Sequence, residues 1–156
     1  MVQEKLHFLK EGLPVALQQL QPATPAKWGV MNAQQMLEHL ADFFEVSYEK
    51  QVFPLAVPEE HLPKYKAFLF SEKEFRENTK APANILGEVP ADIRQPSFAA
   101  AKEYLQQTIQ SFIEWFKEDP LKTSVHPAFG PLNFDEWVLL HHKHVRHHLK
   151  QFGLMD

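Results

Sequence analysis

Apolar residues recur at intervals of three and four along three proline-free stretches of the chain, residues 26–53, 97–119 and 132–156. That interval lines one face of an α-helix, and proline costs a helix interior about 3 kcal/mol, so each stretch is read as holding a long helix. In the first, Asn32 and Gln35 form a capping box ahead of Met36, Leu37, Leu40, Phe43, Phe44 and Ser47, which predicts a helix over about 33–48. In the second, Ser97 caps a stripe made by Phe98, Ala101, Leu105, Ile109, Phe112 and Phe116. Lys102, Glu103, Gln106, Gln107, Gln110 and Lys117 take the opposite, polar side. The third opens on a second capping box, Asn133 with Glu136, and closes at Gly153, predicting a helix over 134–152.

Near the N-terminus Leu6, Leu9, Leu13, Leu17 and Leu20 keep helical spacing, but Gly12 and Pro14 fall inside the pattern, so that helix is expected to be kinked or divided. Pro54, Pro58, Pro63, Pro82, Pro90 and Pro96 punctuate the long connection that follows the first window. A short helix fits 59–70, and residues 72–96 are irregular; long connections of this kind cover sites or stay disordered. Alternating β-type runs, repeats and low-complexity tracts are missing from the chain. The expected fold is therefore all-α, a four-helix bundle with a long crossover between the second and third bundle helices, in one domain over 1–156.

Composition narrows the function. With 44% hydrophobic and 12% aromatic residues in 156, the chain has material for a core. Sixteen Lys and Arg against 20 Asp and Glu leave a formal charge of −4, which is no footprint for nucleic acid, whose binding is dominated by phosphate neutralisation. The absence of cysteine removes disulfides, thiolate nucleophiles and Cys-type zinc motifs, so a metal must be held by His and carboxylates. The opening MVQEKLHFLK is charged, and no apolar run approaches the roughly 20 residues of a membrane span. A soluble, cytoplasmic protein without membrane partners is expected.

Five of the nine histidines lie in LLHHKHVRHHLKQFG. On a helix Trp137, His141, His144, His148 and Gln151 share one face, beside the apolar strip Val138, Val145, Leu149 and Phe152, so His141, His144 and His148 point inward. His142 is expected near the surface, and Lys143, Arg146 and Lys150 form an outer row, read as a solvated face rather than a docking patch. His144 and His148, four apart, can bind one ion, and His39 is the candidate third ligand because it sits among Met36, Leu40 and Phe43. Three neutral imidazoles leave a coordination position open, as in catalytic rather than closed structural zinc sites. Gln35, Asp42 and Gln151 are the helical neighbours able to accept the second ring N–H of a ligand. The turn HPAFGPLNFDEW is either one wall of a substrate mouth or a packed interhelical turn, and Trp28 and Trp137 are most simply core residues.

The pairing of WGVMNAQQMLEHL with HPAFGPLNFDEWVLLHHKHVRHHLKQFG resembles the DinB/YfiT-like superfamily, specifically a functionally uncharacterised branch of it. The likeness covers about 28–48 and 126–153. It implies a divalent metal, nickel or zinc first and iron or manganese after them, held by His39, His144 and His148. Enzymes of similar fold use low-molecular-weight thiols, so the resemblance implies a transferase or hydrolase acting on a small molecule, with a thiol as cosubstrate, and a homodimer. His141 departs from the commoner pattern and is either a fourth ligand, a second-shell residue or a substrate-facing base; with Asp42 it is the catalytic candidate. The alternatives are a non-enzymatic metal- or ligand-binding bundle, and an interaction module whose histidines sense pH.

Overall fold

A computed structural model describes residues 1–77 and 90–156. The irregular stretch expected over 72–96 therefore lies in part, at 78–89, outside the described residues.

The N-terminal leucine pattern forms α1 (Val2–His7), a π-helical turn (Phe8–Gly12) and α2 (Leu13–Leu17) in unbroken right-handed backbone. Pro14 has no N–H to give the preceding turn, and the wide turn ahead of it absorbs that loss without dividing the helix. Leu9, Leu13 and Leu17 are fully buried, so the leucine spacing survives the change of helix type.

α3 (Ala33–Ser47) carries the capping box anticipated for it: Asn32 Oδ1 accepts from the Gln35 backbone N–H, and Gln35 Oε1 accepts from that of Asn32. This helix is buried around almost its whole circumference, and packs against both α5 (Phe98–Glu118) and α6 (Phe134–Gln151). A helix so enclosed ought to be apolar all round. Glu38, Asp42 and Glu45 break that rule and are each satisfied by polar partners from other segments. A 3₁₀ turn (Glu59–His61) leads into α4 (Leu62–Phe70), which packs on α6. The core joins Leu9, Leu13 and Leu17 to Leu37, Leu40, Phe44, Leu105, Ile109, Phe112, Trp137 and Leu149.

The chain is mostly helical but not wholly so. β1 (Ser124–His126) and β2 (Gly130–Leu132) form an antiparallel ribbon with Ser124 opposite Leu132, Val125 opposite Pro131 and His126 opposite Gly130. The all-α expectation missed it because strands this short show hardly any alternation, and prolines flank and enter them. Ser124 and His126 face inward; Trp137 Nε1 donates to Ser124 Oγ, which donates to the Ser47 carbonyl, tying the ribbon to α6 and α3. Among the described residues no helix is long and apolar enough to cross a membrane.

Candidate metal centre

α3 and α6 bring three imidazoles together. His144 and His148 are one turn apart on α6, and His39 faces them from α3, where Met36 and Leu40 turn its side of the helix inward. The three ring centroids are 4.7–5.0 Å apart. His144 Nε2 lies 3.1 Å from His39 Nε2 and 3.1 Å from His148 Nε2. Phe43, one turn after His39, sets its ring 4.9 Å from His39 and 4.5 Å from His144, sealing one side with hydrocarbon.

Burial and the neighbouring imidazoles keep these rings neutral. Burial first, then the charge of His147, lowers the pKa of His39 from 6.5 to about 4. Those of His144 and His148 fall well below the ordinary value, again mainly by burial and then through the other histidines. Neutral rings have lone pairs to offer a cation.

Ring protons serve this arrangement less well than a cation. Gln151 Nε2 donates to the Trp28 carbonyl at 2.9 Å, so Gln151 Oε1 faces His148 Nδ1 at 2.7 Å and accepts its hydrogen. The neutral His148 ring then presents a bare lone pair at Nε2. His144 Nε2 has a single in-plane site, either a proton or a lone pair, yet it faces two ring nitrogens at equal distance. One proton completes both contacts only as a shared, weaker three-centre bond, whereas one cation can accept all three lone pairs. The donor set fits a divalent ion that favours imidazole, including zinc and nickel.

Only part of the anticipated support reaches this cluster. Gln151 does so, and Gly29 helps to place its amide: Gly29 has φ +78, and a Cβ there would lie 2.8 Å from Gln151 Nε2. Gln35 is occupied by its cap and by the Ala91 carbonyl. Asp42 is 5% exposed, accepts from Arg94 Nη2 at 2.7 Å and from Gln51 at 3.2 Å, and has its pKa raised by burial despite Arg94. The structure thus places it in a carboxylate network rather than at a ligand ring.

His141 is 1% exposed, stacked 3.8 Å from Phe44 and 5.2 Å from Trp137, with Phe112 edge-on at 5.0 Å. Its Nε2 has no hydrogen-bond partner, and among the described residues the ligand cluster consists of His39, His144 and His148 without it. Trp137 is buried core, whereas Trp28 is half-buried against His147 at 5.6 Å. His142 is half-buried against Phe8 rather than free in solvent, its pKa lowered to about 4 by burial and nearby cations. The row Lys143, Arg146 and Lys150 is likewise not a bare solvated face, since all three bind residues 71–74.

Sequence reasoning placed His126 in the turn before α6 without the bonds its ring accepts, and missed Arg94. His126 Nδ1 accepts from the backbone N–H groups of Ala128 and Phe129, which holds the ribbon turn and stacks the ring on Phe43. Arg94 binds Asp42 and its backbone N–H binds Glu38, pairings more than fifty residues apart with no local pattern to announce them. Two surface depressions, of about 160 and about 120 Å³, contain none of the cluster's rings and are not assigned to substrate.

Residues 2–152 match the family model of the DinB superfamily. The chain belongs to the DinB superfamily. No curated protein and no solved structure matches it. The DinB assignment spans both helices that carry the cluster, α3 and α6, and its metal association agrees with the three-His cluster.

Proposed function

We propose that His39, His144 and His148 hold one divalent cation, zinc or nickel before iron or manganese, and that this DinB protein is a metal-dependent transferase or hydrolase acting on a small molecule. The observation that carries the reading is the convergence of three neutral imidazoles, with His144 Nε2 facing two other ring nitrogens at 3.1 Å. In this reading the helices make a four-helix bundle of the α1–α2 path, α3, α5 and α6, with its long crossover between α3 and α5.

A divalent ion bound there supplies Lewis acidity, making water or a thiol nucleophilic near neutral pH. The protein's own residues supply the rest. Gln151 fixes the His148 tautomer and ring direction, and Phe43 excludes water from one side of the imidazoles. A low-molecular-weight thiol is the cosubstrate class to test first, because the resemblance to thiol-using enzymes of similar fold implies it, and the chemistry needs no cysteine of the chain's own.

Elemental analysis of untagged protein prepared without added metal tests the binding claim. Near-stoichiometric metal that disappears in His144→Ala is expected; less than about a tenth of an equivalent, unchanged by that substitution, rejects it. A panel of small thiols with electrophilic substrates tests the chemistry. Turnover should vanish on chelation and return with metal, whereas activity that persists without metal rejects the mechanism. Stoichiometric metal without turnover favours a binding protein in which the ion mainly stabilises the bundle.

A further inference from the structure

We propose that residues 71–75 are a clasp that retains the ion, fastened to the outer side of α6 next to the ligand His148; the inference rests on the metal reading above. Ser71 caps the end of α4 by donating to the Phe68 carbonyl and accepts from the Lys73 N–H, and side chains of α6 hold the rest of the segment, which is neither helix nor strand. Lys143 Nζ donates to the carbonyls of Ser71, at 2.9 Å, and Lys73, and lies 4.7 Å over the Phe68 ring. Arg146 grips Glu74 Oε1 through Nε at 3.1 Å and Nη2 at 2.9 Å, and Lys150 takes the other oxygen of the same carboxylate.

These contacts lead to the cluster in two steps. The Phe75 ring packs 6.1 Å from His147 and 5.2 Å from Phe68. His147 in turn lies 5.0 Å from His148 and 5.6 Å from Trp28. An ion leaves a site of three imidazoles when a ligand ring swings off it. With Phe75 pressed on His147, the space beside His148 is filled, so opening the clasp makes room for that swing. The fastening is made of half-exposed ion pairs and two carbonyl bonds, which open locally far more readily than the core unfolds.

The test loads full-length protein with zinc and follows its transfer to excess chelator. Glu74→Gln loosens the clasp by removing a charge, and Phe75→Ala does so without one. Glu60→Gln removes an equal charge from an exposed position outside the clasp. Zinc release about fivefold faster in both clasp variants, at unchanged stoichiometry and with Glu60→Gln at the wild-type rate, is the expected result. Wild-type rates in both variants overturn the clasp, as does acceleration in Glu74→Gln matched by Glu60→Gln. Should Phe75→Ala fail to fold, salt decides: release must accelerate with salt in wild type but not in Glu74→Gln, and parallel responses overturn the proposal. Failure of the wild type to take up zinc at all overturns the metal reading and the clasp together.

Discussion

Acid should weaken the fold through His126, by an amount that the structure sets. His126 is 5% exposed and has its ring against Phe43, Phe129 and Trp137. Its Nδ1 already accepts from Ala128 at 2.9 Å and Phe129 at 3.2 Å, so a proton there would face two donors. Burial lowers its pKa from 6.5 to about 3. Between those values the unfolded chain binds a proton that the folded chain refuses, so stability present above pH 6.5 is lost progressively as pH falls towards 3. At pH 5 the loss from this one residue is about 2 kcal/mol, against almost none at pH 7. That is a sizeable share of the roughly 5–15 kcal/mol that holds a domain together.

His126→Asn isolates the effect, because the amide oxygen of asparagine stands where Nδ1 stands and can accept from the same two N–H groups without titrating. Urea unfolding in the presence of chelator, at pH 7 and pH 5, should show the variant losing about 2 kcal/mol less than wild type between the two conditions. The other buried histidines contribute to both proteins and cancel in the comparison. Equal losses would refute the assignment of this acid sensitivity to His126.

Gln151→Leu removes the bonds to His148 Nδ1 and the Trp28 carbonyl, and should cost about 2 kcal/mol of metal-free stability in urea unfolding. Its zinc affinity, measured by competition with a chelator, should fall about 10-fold or more; unchanged affinity would show that His148 is oriented by something else. Glu38→Ala deprives the backbone N–H groups of Arg94 and Gln95 of their acceptor and should destabilise by about 2 kcal/mol. Amide exchange at Arg94 and Gln95 should accelerate while the centre of α3 stays protected, and equal acceleration in both places would contradict a local role.

The ends of α3, α5 and α6 were legible almost to the residue because their signals are local. Asn32, Ser97 and Asn133 each bind a backbone N–H three residues on, and Gly153 adopts the left-handed φ of +70 that its position after α6 implies. The convergence of His39 with His144 and His148 was also legible, since two of the three share a helix and the third follows from the phase of an apolar stripe. Depth along that face was not. His141 shares it, yet Phe44 and Phe112 reach across from α3 and α5 and enclose its ring, and no spacing within α6 carries that information.

The same limit explains the other departures. Asp42 and Glu38 are drawn inward by Arg94 and Gln95, and the α6 lysines by Glu74 and nearby carbonyls, partners set by how residues 71–74 and 94–95 lie against α3 and α6. The β-ribbon depends on Trp137 and His126 for its support, so three-residue strands with little pattern of their own are held by tertiary contacts.

A crystal of the zinc-loaded protein, with diffraction recorded on both sides of the zinc absorption edge, addresses the central claim most directly. One anomalous peak about 2.0–2.1 Å from the Nε2 atoms of His39, His144 and His148 is the predicted result. A peak bound elsewhere, or no peak at the cluster under stoichiometric loading, would contradict it.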